Sequence, residues 1–171
     1  MSEIRTQVHR TEIGELVLGS CDGGLCLLAF GDRETRREAG GVIARRLNAT
    51  FIEQDDAVLQ EAIRQIDEYL SGRRKEFDIP LLMVGTDFQS RVWRELMEVP
   101  YGATATYSQI ARRIGNERAA RAVGSACKVN PIAIIVPCHR IIGSDGGPGG
   151  YGGGLTLKEK LLKLEQTHDA R

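Results

Sequence analysis

The stretch Thr106–Lys128, TYSQIARRIGNERAARAVGSACK, decides how this chain is read. Thr106-x-x-Gln109 has the form of a capping box, in which a hydroxyl and an amide each satisfy one of the orphan N–H groups at a helix start. Ile110, Ala111 and Ile114 give that helix an apolar face, and Gly115 stops it. Asn116 is placed to cap a further helix over Glu117–Lys128. Helix, glycine-containing turn, helix is the helix-turn-helix layout, which many helical hairpins share. What distinguishes this one is the surface of its second helix. Ala119, Ala120, Ala122, Gly124, Ser125 and Ala126 leave a smooth rod studded with Arg118, Arg121 and Lys128. Such a rod suits close approach to a nucleic-acid backbone or a narrow groove; it equally suits packing on a neighbouring helix, through Ala122, Val123 and Ala126.

Working outward, Thr86-x-x-Gln89 is a second capping box, opening a helix with Phe88, Val92 and Leu96 on one face and Pro100-Tyr101-Gly102 closing it. On the other side, Ile132–Val136 reads as a buried strand that runs into Pro137-Cys138-His139-Arg140. The glycine-rich run GSDGGPGGYGGG (143–154) matches G-x-G-x-x-G at Gly147, Gly149 and Gly152. Only nineteen residues follow Gly152, too few for the second strand and acidic residue of a dinucleotide site, and no Gly-Lys-Ser/Thr follows for a P-loop. The run is either a flexible linker or a place where backbone closes over a ligand. Thr156-x-x-Glu159 then reads as the cap of a last helix carrying Leu157, Leu161, Leu162 and Leu164.

The first half has a different texture. Leu16 and Leu18, then Leu25, Leu27 and Ala29, are spaced by two, and Cys21-Asp22-Gly23-Gly24 between them is a hairpin signal. Cys26, Leu28 and Phe30 make the second of these strands apolar on both sides, as in a strand buried on both faces. Leu59, Ile63, Ile66 and Leu70 then mark one helical face, ended by Gly72. These elements predict a small α/β domain over 1–84, with Pro80–Gly85 as the connection to a mostly helical second domain over 85–171.

A length of 171 residues fits one domain or two small ones. The 23 basic and 23 acidic side chains cancel, but unevenly: residues 1–86 carry 11 and 15, and residues 88–140 carry 8 and 3. A modestly basic half can present a local footprint for phosphates whatever the whole-chain balance. No apolar run approaches the roughly 18 residues of a membrane span. MSEIRTQVHR has no signal-peptide core, and four cysteines without one do not suggest a disulfide framework. A reduced, cytoplasmic protein is expected.

Cys138 beside His139 is the pairing nucleophilic catalysis needs, because the thiolate is the nucleophile and a free thiol, with a pKa of about 8.5, is mostly protonated at neutral pH. Neighbouring residues of extended backbone point to opposite sides, so the imidazole reaches the thiol only across a turn or through a bridging water. A carboxylate is also needed to orient the ring, and Glu165 is a candidate. The alternative from the residues alone is an inert buried cysteine next to a surface histidine.

The run IIVPCHRIIG (134–143) resembles the active-site signature of the O6-alkylguanine-DNA alkyltransferases, the methylated-DNA-protein-cysteine methyltransferases. The resemblance extends through TYSQIARRIGN (106–116), AARAVGSACKVNP (119–131), YGGGL (151–155) and KEKLLKLE (158–165). It implies a ribonuclease-H-like N-terminal α/β domain followed by a helix-turn-helix, winged-helix-like domain. By the same resemblance Cys138 is the alkyl acceptor, His139 a base acting through water and Glu165 its partner. Tyr107 matches the tyrosine that assists leaving-group protonation and crowds the phosphate so that the nucleotide rotates out. Arg121 matches the arginine that fills the vacated stack, and Asn130 the hinge asparagine. Ser108, Ala119, Ala120, Gly124, Lys128 and Ser144 are expected on the DNA-facing side, and Tyr151, Gly152 and Gly153 at the guanine pocket. The implied activity is direct reversal of O6-alkylguanine, and of O4-alkylthymine, in double-stranded DNA. It uses no cofactor and no membrane, and the implied free protein is monomeric.

Two departures from the family pattern stand out. A serine that follows the pocket tyrosine in some members is Gly152 here, leaving only backbone N–H for the O6 atom. Cys21 and Cys26 fall where some members hold two zinc ligands, yet Ser2 and the lack of any histidine between His9 and His139 leave the other two unfilled. No zinc is expected.

Overall fold

The computed structural model describes residues 2–31, 33–147, 149–151 and 154–169, without the side chains of residues 33–36 and 39. The chain folds as two units, residues 1–85 with 131–133, and residues 86–130 with 134–171. No described helix is long and apolar enough to cross a membrane.

The first unit is built on a four-stranded sheet of β1 (Ser2–Thr11), β2 (Gly14–Cys21), β3 (Gly24–Phe30) and β4 (Ala49–Glu53), in the order β3-β2-β1-β4. The first three strands are antiparallel, and β4 runs parallel to β1. Asp22 and Gly23 both have positive φ, 50° and 77°, as a two-residue hairpin between right-twisted strands requires. Leu25–Leu28 are all buried, in keeping with their two-sided apolar pattern. Helix α1 (Arg33–Leu47) packs on β3 and β4, and α2 (Ala57–Leu70), capped by Asp56, packs on β1, β2 and β3. Ile4, Val17, Cys21, Cys26, Leu27 and Ile43 form one core cluster of the unit.

Two readings of this half change, and two elements appear that carried no sequence signal. The buried face of α2 is Leu59, Ala62, Gln65, Ile66 and Tyr69, with Ile63 and Leu70 only half-buried. Helix α1 and strand β4 carry no clean periodicity: among the described side chains of RETRREAGGVIARRL, Ile43 is the one fully in the core, and a Cβ at Gly40 would sit 2.8 Å from the tip of the Phe51 ring. Finally, residues 80–82 are more than a connection. Leu25 donates to Pro80 O and accepts from Leu82 N, at 2.8 and 2.9 Å, so this segment covers part of the β3 edge.

The second unit contains α3 (Asp87–Leu96), β5 (Ala105–Thr106), α4 (Tyr107–Arg113), α5 (Ala120–Lys128), a 3₁₀ turn (Cys138–Arg140), β6 (Ile141–Ile142) and α6 (Leu155–Asp169). Both capping boxes form reciprocally, at Thr86/Gln89 and Thr106/Gln109. Helix α4 ends in a Schellman pair, Asn116 N–H to Ala111 O and Gly115 N–H to Arg112 O, made possible by φ 81° at Gly115. Val92, Trp93, Leu96, Ile110, Ala111, Val123 and Ala126 are buried, and the Trp93 indole donates to Ala126 O at 2.9 Å. Helices α3, α4 and α5 all touch one another, and β5 and β6 pair in parallel beside them.

Here four boundaries shift. Helix α3 stops at Leu96, before Pro100-Tyr101-Gly102. Helix α5 begins at Ala120 and not Glu117, because the Asn116 carboxamide accepts from Arg118 N–H in a separate turn, leaving Arg118 off the helix. Ile132–Val136 is buried except at Ala133 but is not a strand: only Ile132 bridges, to Leu28, and the chain then turns, with Ile134 at φ 70°. A β-branched residue seldom adopts that conformation, so its neighbours must hold it there. Helix α6 already starts at Leu155, so Thr156 lies in the first turn and is not the cap.

Candidate functional site

The turn at Ile134 delivers Pro137 and the 3₁₀ turn Cys138-His139-Arg140, closed by Arg140 N–H to Pro137 O at 3.0 Å. A 3₁₀ turn aims consecutive side chains about 120° apart, so the three residues face three environments. Cys138 is 6% exposed and its Sγ receives the Asn130 carboxamide N–H at 3.2 Å, while the same amide nitrogen donates to Val136 O at 2.8 Å. Burial pushes the Cys138 thiol up; the Asn130 hydrogen bond and the Lys158 ammonium oppose it.

His139 is wholly buried, which removes the surface-histidine reading. Its Nε2 lies 2.7 Å from Glu165 Oε2. Burial works against the Glu165 carboxylate, but hydrogen bonds from His139 and Arg140 outweigh it and hold its pKa at about 2. The carboxylate is therefore the acceptor and Nε2–H the donor. Nδ1 has no hydrogen-bond partner among the described residues and remains the basic nitrogen. Burial lowers the His139 pKa; the Glu165 contacts raise it, and Arg140 and Lys158 lower it further.

Two charged residues at the site went unforeseen in the sequence reading. Arg140 donates from Nε to Glu165 Oε1 at 2.8 Å, from Nη2 to Oε2 at 3.0 Å and from Nη1 to Val99 O at 2.7 Å, with its guanidinium 5.8 Å from the Tyr101 ring. Lys158 is fully buried, with Nζ donating to Ile141 O and to Gly150 O, the latter at 3.4 Å, and lying 5.9 Å from the Tyr107 ring centre. The available signal was spacing: Lys158 and Glu165 are seven apart on α6 and so share a face.

An open cleft of about 520 Å³ lies over α4 and α5. Tyr107, Ser108, Ala120, Arg121, Gly124, Ser125, Lys128, Ser144 and Gly150 line it. The Ser108 and Ser144 hydroxyls are 3.2 Å apart, and Tyr107 Oη donates to Gly150 O at 3.5 Å. At Gly149, whose φ is 64°, a Cβ would come within 2.5 Å of Tyr107 Oη, so only glycine lets the loop approach the phenol. Arg121 and Lys128 are exposed, whereas Ala119 is 6% exposed and its methyl faces inward. Of the expected pocket residues, Tyr151 buries its hydroxyl without a hydrogen-bond partner among the described residues, and Gly152 and Gly153 lie outside them. In the first unit, Cys26 donates to Gly19 O at 3.5 Å with its thiol pushed up to about 12, mainly by burial, and His9 pairs with Asp67 at 2.7 Å.

Acid lability follows from the buried pair. His139 has a folded pKa below the ordinary 6.5, so it contributes stability that is present above pH 6.5 and lost as pH falls through the lowered value. Glu165 acts in the same direction lower down, from 4.5 towards about 2. Chemical denaturation of wild type and His139→Gln between pH 8 and 5 should show a loss in the wild type that the variant lacks. Equal slopes in the two would refute it.

A helix-turn-helix surface with a cleft, and behind it a thiol beside a His–Glu pair, defines a DNA-binding group-transfer protein. The family model described as 6-O-methylguanine DNA methyltransferase, ribonuclease-like domain, matches residues 4–83, and that described as the DNA binding domain of the same family matches 87–167. The methylated-DNA–protein-cysteine methyltransferase of Methanosarcina barkeri is 47% identical over 161 residues, covering 94% of this chain and 96% of that one. The crystal structure of Mycobacterium tuberculosis OGT in complex with DNA is similar at TM-score 0.80 and 40% identity, covering 97% of this chain and 94% of that one. The O6-methylguanine-DNA methyltransferase of Pyrococcus kodakaraensis is similar at TM-score 0.70 and 25% identity, with 95% and 98% covered. The chain belongs to the 6-O-methylguanine DNA methyltransferase family, whose enzymes repair DNA by moving an alkyl group onto a cysteine of their own.

Proposed function

We propose that Cys138 is the alkyl acceptor and that the substrate is O6-alkylguanine, with O4-alkylthymine, in double-stranded DNA. The observation that carries this reading is the Asn130 amide on Cys138 Sγ at 3.2 Å, in the same turn that clamps His139 to Glu165. His139 Nδ1 takes the thiol proton through a water, and Asn130 stabilises the thiolate. Sulfur then attacks the alkyl carbon, the C–O6 bond breaks, and the departing guanine is protonated with help from Tyr107. The product is a thioether, which no group at the site can cleave, so each molecule acts once.

A thiol only 6% exposed cannot reach a stacked base, so the target nucleotide is flipped out into the cleft, with Arg121 filling the gap. The small residues Ala120 and Gly124 suit a minor-groove approach, with Ser108, Lys128 and Ser144 at the rim and Tyr151 walling the base. Residues 85–171 bind DNA and accept the alkyl group; residues 1–84 form the ribonuclease-like domain. The free protein is a monomer that works in the cytoplasm on chromosomal DNA.

Intact mass after incubation with a duplex containing O6-methylguanine tests the reading. Gain of one methyl, on the peptide containing Pro137-Cys138-His139, is expected. A non-covalent damage binder or helix-turn-helix regulator would bind without a mass change, and a Cys–His hydrolase would turn over without a stable adduct. The reaction needs no metal, and Cys21 and Cys26 supply only two of four zinc ligands. Elemental analysis of protein purified without added metal should show no stoichiometric zinc; zinc near one per chain, lost in Cys26→Ala, would overturn this.

A further inference from the structure

We propose that Arg140 is a positioning residue of the transfer reaction: its fork on Glu165 balances and orients the carboxylate, so that His139 rests as a neutral imidazole with its proton on Nε2 and Nδ1 open to the thiol's proton. This rests on the reading of Cys138 as the acceptor. The geometry is specific. Nε and Nη2 engage the two carboxylate oxygens separately, and the remaining arm is tied to Val99 O at 2.7 Å, so the guanidinium cannot follow Glu165 elsewhere.

A buried carboxylate 2.7 Å from an imidazole, with no counter-charge, favours the imidazolium, and a protonated His139 cannot accept a proton. A guanidinium placed on the same carboxylate removes that bias, and as the side chain that never deprotonates in proteins it does so at every working pH. Two cations then act on the imidazole, Arg140 from its own turn and Lys158 from α6, against the Glu165 carboxylate. Beside them lie the Tyr101 ring, 5.8 Å from the guanidinium, and the Cys138 thiol and Tyr151 phenol, both pushed up mainly by burial and so uncharged at neutral pH. The Lys158 ammonium is committed to the Ile141 and Gly150 carbonyls, whereas Arg140 engages both carboxylate oxygens, so the orienting part of the task falls to Arg140. Proton balance is kept: the thiol proton passes to Nδ1, the S–C bond forms as C–O6 breaks, and the proton leaves with guanine.

The experiment is a pH–rate profile for benzyl transfer from free O6-benzylguanine, read by intact mass, in wild type, Arg140→Gln and Arg140→Lys. Wild type should show an acid limb below the ordinary imidazole range. In Arg140→Gln that limb should move up by about one pH unit or more, so the rate at pH values below the wild-type limb falls about tenfold while the rate at pH 9 returns near wild type. Arg140→Lys, which keeps the charge and loses the fork, should recover most of the profile. A uniform loss across pH, or an unshifted limb, would assign Arg140 a purely structural role and overturn the proposal. Should Arg140→Gln fail to fold, ¹⁵N NMR of wild-type His139 at pH 7 decides it: a proton on Nε2 with bare Nδ1 supports the proposal, and imidazolium or an Nδ1 proton overturns it. Absence of any benzyl adduct on wild-type Cys138 would overturn the acceptor reading and this proposal together; an adduct with an unshifted Arg140→Gln profile overturns only the role of Arg140.

Discussion

Cys138→Ser is expected to abolish alkyl transfer while leaving duplex binding within about twofold of wild type. The hydroxyl is nearly the size of the thiol and can accept the same Asn130 N–H, so the turn is kept. The nucleophile is lost, however, since a serine hydroxyl is a weak nucleophile at its free pKa and His139, held by Glu165, supplies the only general base in the turn. Binding survives because Cys138 is only 6% exposed and the cleft is lined by other side chains. In wild type, transfer should stop at one alkyl group per molecule. Cys127 offers no second acceptor: it is buried, and burial pushes its thiol up to about 12. Repeated turnover, or a label on Cys127, would defeat the prediction.

The second large effect concerns Arg121. It and Lys128 both line the cleft and lie seven residues apart on α5, close to one helical face. Lys128→Ala should weaken binding to any duplex alike and reduce the salt slope by about one unit, as the loss of one phosphate contact does. Arg121, standing in for the extruded base, stabilises the flipped state. Its removal should slow repair in duplex DNA by one to two orders of magnitude, since unstacking costs on the order of a few kcal/mol, and should leave reaction with free O6-benzylguanine nearly untouched. Comparison of both variants on both substrates is the check. Equal losses on duplex and free base, or matching behaviour of Arg121→Ala and Lys128→Ala, would remove the intercalating role.

Local signals were legible where the physics is local. The two capping boxes, the Gly115 stop and the Asp22-Gly23 hairpin depend on groups within a few residues of one another, and each stands where its residues put it. The start of α5 was misread because Asn116 has two local uses, and the Arg118 N–H took the side chain for a turn. The IAIIV run was misread because apolar content reports burial and not conformation: all but Ala133 are buried, yet only Ile132 finds a strand to pair with. Helix α1 is rich in charged residues, and Ile43, which joins it to the core cluster, does not show as a period.

The amino-acid sequence by itself determined the two-part α/β and helical architecture, the helix-turn-helix and the identity of the Cys138–His139 pair, since these rest on periodicity, caps and a contiguous signature. Only the tertiary structure decided how the pair is charged. Glu165 comes within 2.7 Å of His139 from a helix 26 residues on, Arg140 closes a fork on that carboxylate and on Val99, and Lys158 is buried against the Ile141 and Gly150 carbonyls. Protonation states in a buried site depend on desolvation and on charges a few ångströms away in space, quantities that chain order does not contain until the helices have packed.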